Sequence, residues 1–290
     1  HLPFSMPSDD SASSTDTFSQ VTSMTKIETI SILSGQGKGG QPEAFGRFDL
    51  TMGQVVSIVG PTGSGKTTLI NDIELFADGD TPSGRRVLIN GRRAPQEFRY
   101  NPARNPIALI TQHTTFLSDM PVRQFLLTHS RIRTGNGEAP QLVEEAIDFA
   151  NQLTGEAIDP DNRMTELSGG QTRALLIADA TVICSTPVVL LDEVENAGIH
   201  RTRADQLLRR HRKIFIFVTH DPRIALLSDF RVVMQGGRIT RVVTTSAEER
   251  GVSAHVNRLD DALSRLRERL RQGQRLSAAD VCLPELKEVA

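Results

Sequence analysis

The sequence is poor in several features that would each define a class of protein. It has no run near the roughly 18 apolar residues that a membrane-spanning helix needs. Its longest apolar candidates, such as Ile214 to Val218, have the length of buried strands. A chain that crosses a membrane on helices of its own is thereby excluded. Two cysteines in 290 residues cannot make a disulfide framework, and Cys184 falls in the apolar run 181–191, where a small buried thiol is the ordinary expectation. No positively charged start leads into an apolar block, so a secretory signal is not expected and the expected compartment is the cytoplasm. Charge of one sign is lacking too: 33 basic against 35 acidic residues give a net charge of -2, which provides no global field for nucleic acid or anionic lipid. The one dense basic cluster, Arg209-Arg210-His211-Arg212-Lys213, stands just before a strand and reads as a solvated helix end, so nucleic acid is not an expected partner. Only five of the basic residues are lysines, which makes each easier to weigh.

What is present reads as one large domain with two tails. Residues 1–24 are rich in Ser, Thr and Asp and show no sustained period. So few apolar groups cannot offset the entropy of ordering a backbone, and a disordered tail is expected. From Lys26 onward, strand-like runs occur at 27–32, 45–50, 55–59, 87–89, 107–110, 188–191, 214–218 and 230–234. Helical patterns lie between them at 67–76, at 140–153 with Leu142, Ala146, Ala150 and Leu153 on one face, and at 172–182. This alternation predicts an α/β fold with a mainly parallel central sheet covered on both faces, plus an antiparallel β portion. Residues 114–166 lack a buried-strand run and read as a helical insertion within a domain spanning 25–250. Gly236 and Gly237 separate two strand runs as a closing hairpin would. In the tail 251–290, Val256, Leu259, Leu263, Leu266 and Leu270 form one apolar seam flanked by arginines, suited to packing on its own domain, to docking a soluble partner or to pairing with itself.

Gly60-Pro61-Thr62-Gly63-Ser64-Gly65-Lys66-Thr67 fits G-x-x-x-x-G-K-[ST] in full and stands between a buried strand run and an amphipathic helix. Backbone N–H groups of such a loop converge on phosphate oxygens, and the helix that follows, through Thr68 and beyond, presents its positive end. Lys66 is placed to reach the β- and γ-phosphates of a nucleotide and Thr67 to hold Mg²⁺. Val188-Val189-Leu190-Leu191-Asp192-Glu193 then brings two acids to the carboxyl edge of the sheet. Asp192 is the expected Mg²⁺ carboxylate, acting through water, and Glu193 the expected general base toward an attacking water.

Between these two elements, Leu167-Ser168-Gly169-Gly170-Gln171 resembles the signature of the ATP-binding cassette (ABC) ATPases. The resemblance covers about residues 26–245 and implies a P-loop NTPase fold with a helical subdomain inserted. It implies that Gln112 contacts Mg²⁺ and the attacking water, that His220 touches the γ-phosphate, and that two subunits pair head to tail as a homodimer or an ABC-type heterodimer. In that pairing Ser168, Gly169, Gly170 and Gln171 of one subunit close over the nucleotide held by Lys66 of the other. Taken alone, Ser-Gly-Gly before a helix is an N-cap with a flexible lead-in, and His220 a strand-end histidine. Their order along the chain is what gives them another meaning.

The chain departs from the family pattern at two places. The family stacks adenine on an aromatic residue after its first strand, yet no Phe, Tyr or Trp occurs between Phe18 and Phe45. The family's Ser-Ala-Leu-Asp segment is here Asn196-Ala197-Gly198-Ile199. Hydrolysis is still expected because Glu193 and His220 are present. One reading is a transport motor whose separate membrane-spanning subunit docks on the insertion near 115–126, placing the chain peripherally at the inner face of the membrane. The alternative is a soluble ABC ATPase acting on a macromolecule or assisting assembly of another protein. A nucleotide sensor with little turnover is the third, against which Glu193 argues.

Overall fold

A computed structural model describes residues 26–102, 104–134, 138–192 and 208–277. The tail 1–24, Glu193, the segment 196–199 and Cys282 lie outside the described residues. The strands in chain order are β1 Thr29–Leu33, β2 Arg47–Thr51, β3 Val55–Val59, β4 Arg86–Ile89, β5 Arg92–Arg93, β6 Ile107–Ile110, β7 Val188–Asp192, β8 Ile214–Val218, β9 Phe230–Gln235 and β10 Arg238–Thr244. They form two sheets. The larger has the order β10-β9-β3-β8-β7-β6, and the smaller, β2-β1-β4-β5, is antiparallel throughout. Strands β9, β3, β8, β7 and β6 run parallel, and β10 returns antiparallel on β9.

The runs expected to be buried on both faces are so, for a reason their side chains show. Along β8, Ile214, Ile216 and Val218 enter one core while Phe215 and Phe217 enter another, and β7 divides Val188 and Leu190 from Val189 and Leu191 in the same way. This is the period of two that a covered strand imposes. Each such side chain withdrawn from water contributes about 1.5–3 kcal/mol. The first core lies toward α1 Lys66–Glu74 and the antiparallel sheet, through Leu69, Ile70, Ile73, Ile30 and Ile32. The second lies under a helical layer.

That layer contains α3 Val122–Thr134, α4 Ala139–Leu153 and α5 Gly169–Ala178; the short α2 spans Gln96–Tyr100. Helix α4 carries Pro140 in its first turn, where the missing N–H costs nothing, and turns Val143, Ala146, Ile147, Ala150 and Leu153 inward. Helix α5 runs on into a single π turn, Asp179–Ile183, before β7. The ring pair Phe116–Phe125, with centroids 5.0 Å apart, packs against this core, while Leu117 is fully exposed. Thus the segment 115–126 supplies part of the insertion's own core and also an exposed apolar residue.

Helix α6 Pro222–Leu227 follows β8, and α7 Ala247–Arg271 follows β10. Helix α7 buries Ser253 and Ala262 and ties Asp260 to Arg223 of α6, leaving Leu259, Leu263 and Leu270 of the seam exposed. In the basic cluster, Arg209 bonds Asp229, His211 packs edge-on to Phe149 and Lys213 is buried, so only Arg210 and Arg212 face solvent. No described helix is long and apolar enough to cross a membrane.

Candidate nucleotide site

The loop Gly60–Gly65 joins β3 to α1 as the sequence requires. Two of its glycines are dictated by close approach: a Cβ on Gly60 would stand 2.4 Å from the Met234 carbonyl oxygen. Gly65 has φ +99°, and a Cβ there would stand 2.8 Å from Gly237 Cα. The loop therefore rests on the β9–β10 turn, and the Gly237 amide donates to the Ser64 carbonyl at 2.8 Å. Lys66 Nζ donates to the carbonyls of Gly60 at 2.8 Å and Pro61 at 3.1 Å. Gly65, the N-cap of α1, offers no side-chain acceptor, so the first amides of the helix lack an intrahelical partner at its positive end. Thr67 and Thr68 are exposed in that first turn. A ring of amide donors with one ammonium and no carboxylate in the loop fits a polyphosphate.

Strand register places the remaining groups at the same edge. Asp192 pairs with Val218 on β8, and Val218 pairs with Ile58 on β3, two residues before the loop begins. Ile110 pairs with Leu191, so Gln112 follows β6 on the far side of β7 and is exposed. His220 follows β8, where the Thr219 amide donates to Ile58 O at 3.2 Å. With Gly60 and Pro61 it lines a pocket of about 190 Å³. Lys66, Thr67, Asp192, Gln112 and His220 thus stand at the carboxyl ends of parallel strands, where ligands gather in such sheets. The hydroxyl of Thr67 and the carboxylate of Asp192 are hard oxygen donors that suit Mg²⁺.

The signature residues belong to the helical layer. Ser168 caps α5: its Oγ accepts from the Gln171 amide at 3.3 Å, and Gln171 Oε1 accepts from the Ser168 amide at 2.9 Å. This reciprocal box leaves Gly169 and Gly170 as the first turn of α5. Gln171 Nε2 further donates to Ala157 O at 3.0 Å. The two regions meet where Arg173 Nη2 of α5 donates to Gln112 O at 3.2 Å.

Two supports of the site were not legible as such. Lys38, after β1, donates its ammonium to Gly63 O at 3.2 Å. Arg85, wholly buried, bonds Glu43, Asp72 of α1 and the carbonyl of Gly237. The glycine pair was a hairpin signal, but nothing local announces which loop the hairpin touches.

The family described as ABC transporter matches residues 46–196. An uncharacterised ABC transporter ATP-binding protein of Methanocaldococcus jannaschii is 45% identical over 258 residues, which cover 89% of this chain and 98% of that protein. The chain belongs to the ABC ATPase family. Less similar is a spermidine/putrescine import ATP-binding protein of Trichodesmium erythraeum, 30% identical over 67% of this chain and half of that protein. Among solved structures, cbiO1 of Clostridium perfringens, part of an ABC transporter complex, superposes with a TM-score of 0.57 at 21% identity, covering 82% of this chain and 100% of that one. A dimeric ATP-binding cassette with ADP and phosphate bound gives 0.54 at 19% identity, covering 75% and 99%. These likenesses establish the cassette fold for this ABC ATPase.

Proposed function

We propose that this ABC ATPase is the nucleotide-binding subunit of a membrane transporter and hydrolyses Mg-ATP between two copies paired head to tail. The observation that carries the reading is the separation of two anion-suited helix starts. That of α1 lies beside Asp192, Gln112 and His220, and that of α5, capped by Ser168, lies in another layer. A second copy gives the α5 start a nucleotide to close over.

In this reading the loop from Gly60 to Thr68 holds the phosphates, with Lys66 on the β- and γ-groups. Thr67, Gln112 and Asp192 would hold Mg²⁺, which supplies charge neutralisation to the phosphate oxygens. Glu193 takes the proton of the attacking water and His220 contacts the γ-phosphate. Ser168, Gly169, Gly170 and Gln171 close from the other copy. The ATPase domain spans 25–250, with residues 114–166 as the insertion that meets a membrane subunit through exposed Leu117 and Met120; residues 1–24 and 251–290 are its tails. The exposed leucines of α7 support the second reading, a soluble ABC ATPase that docks a protein partner there.

The test combines turnover with assembly. ATP hydrolysis is expected in the wild type and lost in Lys66→Ala and Glu193→Gln, with ATP driving Glu193→Gln into a dimer on light scattering. Unchanged turnover in Glu193→Gln would remove that residue as base. Purification from native membranes distinguishes the readings: a polytopic partner supports transport, and a soluble one retained through α7 supports the alternative.

A further inference from the structure

A cavity of about 1070 Å³ opens at the opposite edge of the sheet, lined by Thr29 at the start of β1 and by Pro106, Pro187 and Lys213, which immediately precede β6, β7 and β8. Cys184 lines it. The π turn explains where that thiol points. The Cys184 amide donates to Asp179 O at 2.8 Å, a five-residue step that sets the two side chains on one face, where Cys184 Sγ donates to Asp179 Oδ2 at 3.7 Å. From α3, His129 completes the set: Nδ1 lies 2.8 Å from Asp179 Oδ1, and Nε2 lies 3.8 Å from Cys184 Sγ. Asp179 therefore fixes the ring so that its other nitrogen faces the sulfur. Its hydrogen bond, followed by that of Cys184, raises the His129 pKa to about 10. The ring is then an imidazolium, the neighbour that favours a thiolate.

The charged lining of the cavity is more basic than acidic. Lys26, Arg133, Arg212 and Lys213 line it against two acids, Glu28 and Glu145. Lys213 is buried and donates to Thr186 O at 2.9 Å, and its desolvation lowers its pKa to about 8. Thr181, in the π turn, lines the same cavity, and its buried hydroxyl has no hydrogen-bond partner among the described residues. Unpaired buried polar atoms are uncommon and suit a site that receives a polar ligand.

We propose that Cys184, His129 and Asp179 form a nucleophilic thiol centre, and that the cavity seats a small carboxylate-bearing disulfide that exchanges with Cys184. Cys184 gives up its proton to solvent as its sulfur, beside His129 Nε2, attacks one sulfur of the bound disulfide. That S–S bond breaks, a new one joins Cys184 to half of the reagent, and the other half leaves as a thiolate. Cys184 is oxidised to the mixed disulfide as the departing half is reduced, so the electrons balance. Asp179 acts through His129 as a positioning residue.

The probe is dithiobis(nitrobenzoate), an anionic disulfide, with neutral dithiodipyridine as control, on the full chain carrying Cys282→Ser. At pH 6, where an ordinary thiol is almost wholly protonated, Cys184 should react at least about tenfold faster than a cysteine in an unstructured peptide. The rate should saturate with the anionic reagent and rise linearly with the neutral one. His129→Gln should slow the reaction about tenfold and move its pH profile upward. Thr181→Val should raise the half-saturating concentration, with thermal melting confirming that each variant folds. Reaction at the peptide rate, without saturation, overturns the proposal using unaltered Cys184, His129 and Asp179. Stoichiometric Zn²⁺ binding that requires Cys184 and precludes exchange would overturn it in favour of a metal centre.

Discussion

The amide of Gly237 donates to the carbonyl of Ser64 at 2.8 Å, bonding the turn of the closing hairpin to the glycine-rich loop Gly60–Gly65. The same glycine accepts from Arg85 Nη2 at 2.9 Å, and Arg85 also holds Asp72 of α1. The loop is therefore shaped from outside by a residue more than 150 positions away in sequence, bonded through a buried guanidinium to the helix that the loop begins.

Gly237 has φ +81°, and a Cβ there would stand 2.8 Å from the Lys38 amide nitrogen, whereas a Cβ on Gly236 would meet nothing within 4 Å. Gly237→Ala is expected to weaken ATP binding about tenfold and to lower the melting temperature, because the hairpin must withdraw from the loop. Gly236→Ala bears only the conformational penalty of its own positive φ, about 1 kcal/mol, and should bind ATP nearly as the wild type does. Titration and melting of both variants check this; equal binding by the two would detach the hairpin from nucleotide affinity.

Arg85 and Glu43 are both wholly buried at the side chain, and Asp72 nearly so. Removing the cation in Arg85→Met leaves two buried carboxylates without it, at a cost of about 3–5 kcal/mol. Removing Arg47 from its exposed pair with Asp49 should cost less than about 1 kcal/mol. Urea denaturation of the two variants is the measurement, and a loss under about 1 kcal/mol for Arg85→Met would contradict the network's role.

Lys38, rather than an aromatic ring, reaches the phosphate loop from the segment after β1. Base stacking is worth about 1–3 kcal/mol, and a cation bonded to the Gly63 carbonyl offers no ring on which a base can stack. ATP and GTP are therefore expected to bind within about tenfold of each other. Lys38→Gln should weaken both alike. Parallel titrations decide the matter, a hundredfold preference for ATP being the contrary result.

Two groups at the thiol centre make stability depend on pH in opposite directions. His129 rises from an ordinary value of 6.5 to about 10 in the folded state. Its stabilising contribution is complete below pH 6.5 and is lost as pH climbs to 10. Lys213 falls from 10.5 to about 8, so between these values the unfolded chain binds more protons and stability rises with pH. The wild type should lose stability from pH 6.5 to 8 and then level off. His129→Gln should remove the early loss and leave the rise above pH 8, whereas Lys213→Met should keep falling toward pH 10. Denaturation midpoints across this range check the signs.

The strands that precede chemistry were legible because burial on both faces demands nearly continuous apolar side chains, as in Val188–Leu191 and, apart from the buried Ser57, in Val55–Val59. The Gly60–Gly65 loop was legible because its glycine spacing, followed by Lys66-Thr67, stands between a buried strand run and a helix, although the atoms that exclude a Cβ at Gly60 and Gly65 belong to Met234 and Gly237. Helix ends moved slightly: the run expected at 67–76 forms Lys66–Glu74, and the run expected at 172–182 begins at Gly169 and changes to a π turn at Asp179. A five-residue backbone bond leaves no periodic mark in a sequence, so nothing in it shows Asp179 and Cys184 sharing a face, and Cys184, expected as a small buried thiol, is half-buried.

By itself, the sequence determined the α/β class, the loop from Gly60 to Thr67, the acidic strand end at Asp192 and the Ser168 cap, all of which depend on neighbours within a few residues. The tertiary structure alone decided that Gly237 supports Ser64, that Arg85 joins three layers, and that His129 meets Asp179 and Cys184. Those contacts span distant parts of the chain, and they form only because burial of both sheet faces fixes where each layer must lie.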